Sequence, residues 1–256
     1  MSLDHCRDLV ERGDPDRALV TAGAEPDAQA RLWPLWAFNL EVARAPWASA
    51  EPMVAEMRLQ FWADAVEALA EGRARAGHPV VEPLAAALGG QDVTALAALV
   101  EARRRDVWRE AFADRAALGD YLEATAAGLM WQAARLLGAG PEAERPVRDF
   151  GWAAGLAAWL RAAPDLAARG WAPLPDDDPA TIAALAQEGL NRIARARSLR
   201  GAVPARAFPA LATGWQAAAL LRQAAHAPGK VAEGSLAISE FARRGGLFWA
   251  GLTGRW

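Results

Sequence analysis

Apolar residues recur every three to four positions along most of this chain, Ala, Leu, Arg and Glu fill the intervals, and nowhere does an apolar–polar alternation persist long enough for a strand. Pro and Gly punctuate the pattern. The spacing predicts an all-α protein with helices at 27–45, 51–76, 80–88, 92–116, 119–137, 142–169, 179–199, 206–225 and 235–250. Pro34 and Pro209 are expected to kink their helices. In the second helix Met53, Met57 and Phe61 recur at i, i+4, i+8 beside a stripe of Arg58, Trp62 and Leu69, so this helix is expected to be central, with apolar contacts over a wide arc. Asp92 and Asp178 read as helix starts, the latter with Pro179 at the first helical position, which makes the Asp176-Asp177-Asp178 run a cap and turn rather than a catalytic cluster.

Length and composition narrow the picture. A chain of 256 residues with 53% hydrophobic and 23% charged side chains and no Ser-, Gly- or charge-rich linker is expected to fold as one domain, 1–256. Cys6 is the sole cysteine and the histidines are His5, His78 and His226, which excludes an intramolecular disulfide and a Cys/His zinc cluster. A net charge of -3, with the Arg103-Arg104-Arg105 run flanked by Glu101 and Asp106, argues against nucleic acid as a partner. The first residues lack the apolar core of a signal peptide, and the Ala/Gly-rich segment at 150–160 falls short of the ~20 residues needed to span a bilayer. A soluble, cytoplasmic protein is expected.

The chemistry is carried by two stretches. One is Ala37-Phe38-Asn39-Leu40-Glu41-Val42-Ala43-Arg44-Ala45, and the other runs from Gly151 through Leu160-Arg161 to Leu174-Pro175. With Asp14-Pro15-Asp16-Arg17, Glu51-Pro52-Met53, Arg58-Leu59-Gln60-Phe61-Trp62-Ala63-Asp64-Ala65 and Gly254-Arg255-Trp256, they resemble the squalene and phytoene synthase family over nearly the whole chain. The resemblance implies the helical isoprenoid-synthase (class I terpene synthase) fold. In catalysing members, aspartates at i and i+4 on two facing helices hold the magnesium ions that bind diphosphate. At the corresponding positions this chain has Ala43, Arg44 and Trp47 in the first segment, and Ala162 and Leu166 in the second. The resemblance therefore implies a degenerate metal site, with no metal, no cofactor and no confident catalytic residue. Pro164 is expected to kink or end its helix at that place.

The remaining polar candidates for a cavity are Asn39, Glu41, Arg58, Asp64, Arg161 and Asp165. Glu41, near Arg44, reads as part of a buried or interhelical ion pair, Arg161, Asp165 and Arg169 as a ladder along one helical face, and Asp64, Glu67 and Glu71 as a solvated face. Gly151 and Gly155 permit close helix approach, and the twelve tryptophans read mainly as core or interface. Within the family, the blocks at 38–44 and 58–62 look most like a branch that includes a mitochondrial complex I assembly factor. That likeness implies a non-catalytic binding or assembly role, with respiratory-complex subunits as partners and peripheral contact at the inner membrane. The rival expectations are an active prenyltransferase, which needs magnesium, and a carrier of an isoprenoid or quinone-like lipid.

Overall fold

A computed structural model describes residues 2–73 and 77–256. Its helices are α1 (Ser2–Gly13), α2 (Pro15–Ala22), α3 (Pro26–Arg44), α4 (Pro52–Ala70), α5 (Val81–Leu88), α6 (Thr94–Ala102), α7 (Arg104–Trp108), α8 (Arg115–Leu122), α9 (Gly128–Leu136), α10 (Glu144–Ala168), α11 (Pro179–Ser198), α12 (Phe208–Ala212), α13 (Ala217–His226), α14 (Gly229–Ala232) and α15 (Glu240–Thr253). No strand occurs among the described residues. The all-α expectation holds.

The longest helix, α10, organises the rest. It packs against α8, α9, α11, α13 and α14, and against a π-helical turn, Glu123–Ala127, that joins α8 to α9. The reason is in its small residues. A Cβ on Gly151 would sit 2.9 Å from Met130 Cβ and 3.0 Å from Ala127 Cα, and one on Gly155 would overlap Ala126. The G-x-x-x-G pair thus lets the π turn and α9 approach the backbone of α10 closely, as expected. Trp152, beside the pair, is buried and donates its indole N–H to Gly119 O at 2.9 Å.

Several sequence expectations are corrected. The helix expected at 92–116 breaks into α6 and α7, and the chain then turns through Arg109 at φ 53° before Asp114 caps α8. Tertiary contacts override helical propensity here: the Arg105 guanidinium donates to Glu110 O and Ala111 O and lies 3.8 Å from the centre of the buried Phe112 ring. The span 51–76 stops at Ala70, with Gly72 in the left-handed region at φ 70°, and its last positions, 74–76, lie outside the described residues. Met53 and Met57 are exposed, at 64% and 70%, so the buried stripe of α4 is Ala55, Leu59, Trp62 and Val66 instead. Pro164 does not end α10, which continues to Ala168. The span 206–225 is two helices, and Pro209 lies in the first turn of α12, where a missing N–H costs nothing.

Two helices at the start were not anticipated from periodicity. α1 packs on α3 and α5 through Cys6 and Val10, both fully buried, and burial pushes the Cys6 thiol up to about 12. α2 begins where Asp14 accepts the Arg17 N–H at 3.0 Å, with Pro15 at its first position.

Candidate functional site

The two segments singled out by sequence lie on α3 and α10, and both helices pack against α9. Trp36 from α3 and Gly151, Gly155 and Arg161 from α10 share one small central cavity of about 140 Å³, completed by Met130 of α9 and Gln216, with Asp14, Asp16 and Arg17 of the second helix and its cap. Apart from Arg161, the charged groups around it are paired. Asp16 accepts from Gln216 Nε2 at 2.6 Å and from Arg243 Nη1 at 2.6 Å, so α2 is tied to α15. Arg17 bonds Asp14 at 3.1 Å and lies 4.9 Å over the Trp36 ring, whose N–H donates to Thr21 Oγ1 at 3.1 Å. The Asp-Pro-Asp-Arg motif is thereby a helix cap and a clamp.

The degenerate positions lie at the ends of this arrangement. Ala43, Trp47, Ala162 and Leu166 are half-buried and Arg44 is exposed. None of these five side chains carries an oxygen, so they do not fit a magnesium cluster, whose ligands are hard oxygens. Among the described residues no three His, Cys, Asp or Glu side chains are grouped to hold a metal ion. In place of facing carboxylates stands an aromatic wall: Trp47 stacks on Trp171 at 5.1 Å, Trp171 lies 6.2 Å from Trp159, and Trp159 contacts Tyr121 at 5.1 Å and Phe112 at 5.8 Å. Trp159 is held by donating to Pro173 O at 2.7 Å, and Arg169 sits 5.4 Å over Trp47.

Of the other polar candidates, Arg161 lines the cavity, Asn39 is buried on α3 away from that lining, and Glu41 is half-buried. Arg58, Asp64 and Asp165 are exposed, as are Glu67 and Glu71. Neither expected ion-pair set forms among the described residues. Arg44 folds back against Gly13 at the end of α1 rather than onto Glu41, and Arg169 prefers the face of Trp47 to Asp165. A ring face and a helix terminus are competing partners that helical spacing alone does not register.

Sequence reasoning missed a buried network beside the aromatic wall. Arg103 donates to Asp106 at 3.0 Å and to the Tyr121 hydroxyl at 2.7 Å, and that hydroxyl donates to Asp106 at 2.8 Å. Burial pushes the Asp106 carboxyl up against the pull of Arg103, and burial raises Tyr121 well above its ordinary range. The three pin α7 to α8. In the Arg103-Arg104-Arg105 run, Arg104 pairs with Glu56 and Glu101 and Arg105 caps the turn, so the whole run is absorbed internally. Two interior side chains have no such partner among the described residues: Gln132 on α9 is fully buried with neither amide atom hydrogen-bonded, and the buried Trp171 indole N–H is unpaired.

The sequence profile of the squalene/phytoene synthase family matches residues 10–242. A Drosophila melanogaster protein, the NADH dehydrogenase (ubiquinone) complex I, assembly factor 6 homolog, is 31% identical over 202 residues, which cover 76% of this chain and 59% of that protein. The chain therefore spans less than two thirds of that relative's length. Human complex I assembly factor 6 is 26% identical over 235 residues, covering 81% of this chain and 69% of that one. Among solved structures, a dehydrosqualene synthase in complex with ligand superposes with TM-score 0.81 at 13% identity, covering 98% of this chain and 96% of that chain. The squalene synthase HpnC from Alicyclobacillus acidocaldarius gives 0.73 at 16% identity, with 88% and 93% covered. These last two show the fold alone.

Proposed function

We propose that this chain, which belongs to the squalene/phytoene synthase family, is a non-catalytic member that assists assembly of a complex I-like respiratory complex by binding its subunits. The observation that carries the reading is the chemistry of the clamp positions: Ala43, Arg44, Ala162 and Leu166 stand where the family resemblance calls for aspartates, and Trp47, a fifth such position, stacks in an aromatic cluster with Trp171 and Trp159. Without a preorganised cation, nothing there stabilises the charge that develops on a diphosphate leaving group. The relatives named as complex I assembly factor 6 support the assembly role. The cavity shared by α3 and α10, at about 140 Å³, lies below the ~300–1,000 Å³ of small-molecule sites, so that cavity does not favour a lipid cargo.

Two measurements test this. Affinity capture of the intact protein from its native cells should enrich respiratory-complex subunits; enrichment of isoprenoid enzymes instead counts against it. Purified protein given magnesium and farnesyl or geranylgeranyl diphosphate should release no diphosphate above background, and placing Asp at Ala43, Ala162 and Leu166 should not restore turnover, since Arg44 and the aromatic wall remain. Metal-dependent product formation by the unmodified protein, abolished by changing Glu41 or Asp165, would overturn the reading.

A further inference from the structure

The C-terminal helix α15 is amphipathic in the reverse sense for a bundle helix. Its inward side is small or polar: Ala250 is its one buried residue, a Cβ on Gly246 would lie 3.6 Å from Trp215, and Arg243 O accepts the Trp215 indole N–H at 3.1 Å while its side chain holds Asp16. The helix is thus anchored from behind. Its outward side carries the bulk: Phe241 is 90% exposed, Phe248 71%, Leu252 67% and Trp249 61%. At 3.6 residues per turn, Phe241, Phe248 and Leu252 fall within an arc of about 40°, with Trp249 on one flank and Arg244 on the other.

Beside the end of this helix lies unneutralised positive charge. Arg197, Arg200 and Arg222 are exposed and form no ion pair among the described residues. Burial of its inner atoms and the like charges of Arg222 and Arg200 lower Arg197, so the three guanidinium groups feel one another. Arg197 also donates to Trp256 O at 2.7 Å, and Trp256 packs on Phe150 at 4.9 Å, which fixes the cluster next to the terminus of α15. Leu199, 42% exposed, sits among them. An exposed apolar ridge on α15, with Arg200 and Arg222 exposed and without an ion pair among the described residues near its end, in a chain whose net charge is -3, is complementary to a flat anionic surface. No helix of the described residues is long and apolar enough to cross a membrane, but a helix of 14 residues suffices to lie in the interface.

We propose that α15 and the Arg197–Arg200–Arg222 cluster form a docking surface for an anionic lipid bilayer, with Phe241, Phe248, Trp249 and Leu252 entering the headgroup boundary and the arginines meeting lipid phosphates. This gives the assembly role a place at a membrane, and its test needs no respiratory subunit, so the two ideas fail separately. The intact protein is floated with phosphatidylcholine vesicles and with vesicles containing phosphatidylglycerol. Binding should require the anionic lipid and weaken with salt. Replacing both Arg200 and Arg222 with Ala should weaken it about tenfold or more, and Phe248→Ser with Leu252→Ser should abolish it. Circular dichroism and thermal melting of these variants should match the unmodified protein, because the altered side chains are exposed. Absence of flotation with anionic vesicles overturns the proposal, as does undiminished binding by the Phe248/Leu252 variant. If instead that variant changes only the protein's self-association in light scattering, the ridge is a contact between protein copies and the lipid assignment is wrong.

Discussion

Trp36, Phe38 and Trp152 on α3 and α10 are at most 2% exposed, whereas Phe241, Phe248, Trp249 and Leu252 on α15 are 61 to 90% exposed. The same class of side chain therefore serves opposite ends. At the centre, small residues such as Gly151 and Gly155 draw the backbones together until only about 140 Å³ is left. At α15 the small residues face inward and the large ones are left in water. In this chain the large side chains of α3 and α10 are buried and those of α15 are exposed. Exposed apolar patches of this kind are characteristic of interaction sites, and the α15 ridge is where the docking proposal rests.

Four substitutions sharpen that contrast. Asp106→Ala removes the buried carboxylate that pairs the half-buried Arg103 and the Tyr121 hydroxyl and should destabilise the protein by about 3 kcal/mol in urea unfolding. A loss under about 1 kcal/mol would mean that water reaches the network, and the centre would not be as closed as described. Gly155→Val forces a side chain into Ala126 and should cost about 1–3 kcal/mol, because overpacking shifts backbone as well as rotamers. Gln132→Leu should act in the opposite direction: removing an unpaired buried amide should raise stability by about 1 kcal/mol or more. A fall in its melting temperature would show that Gln132 has a partner in solution. By contrast, Phe248→Ser on α15 should change stability by no more than about 0.5 kcal/mol, and a larger loss would mean that the ridge packs on the body.

The family fold was legible because helical periodicity and the blocks around Phe38 and Arg58 are local in sequence. The same locality explains the errors. Met53, Met57 and Phe61 form an apolar stripe in any helical projection, but Leu59 and Trp62 are the residues that meet the core, and nothing within α4 says which stripe its neighbours will cover. The pairings expected for Asp165, from four-residue spacing, and for Glu41, from the nearby Arg44, do not form; Gly13 and Trp47, distant in sequence, captured Arg44 and Arg169. The Arg103–Asp106–Tyr121 network left no signal beyond a charged run.

By itself the sequence determined that the protein is helical, because 3.6-residue periodicity and caps such as Asp14 and Asp178 are short-range properties of the chain. It also determined that Ala43, Ala162 and Leu166, where the family resemblance calls for aspartates, offer no carboxylate, since no folding can supply an oxygen to them. Tertiary structure alone decided that Trp47, Trp159 and Trp171, from separate stretches of the chain, meet in one aromatic cluster, and that α15 turns Phe241, Phe248 and Leu252 outward. Burial is a property of what packs against a residue, and a helix can present its apolar face to either side until the Trp215 and Asp16 contacts on its back fix which way it points.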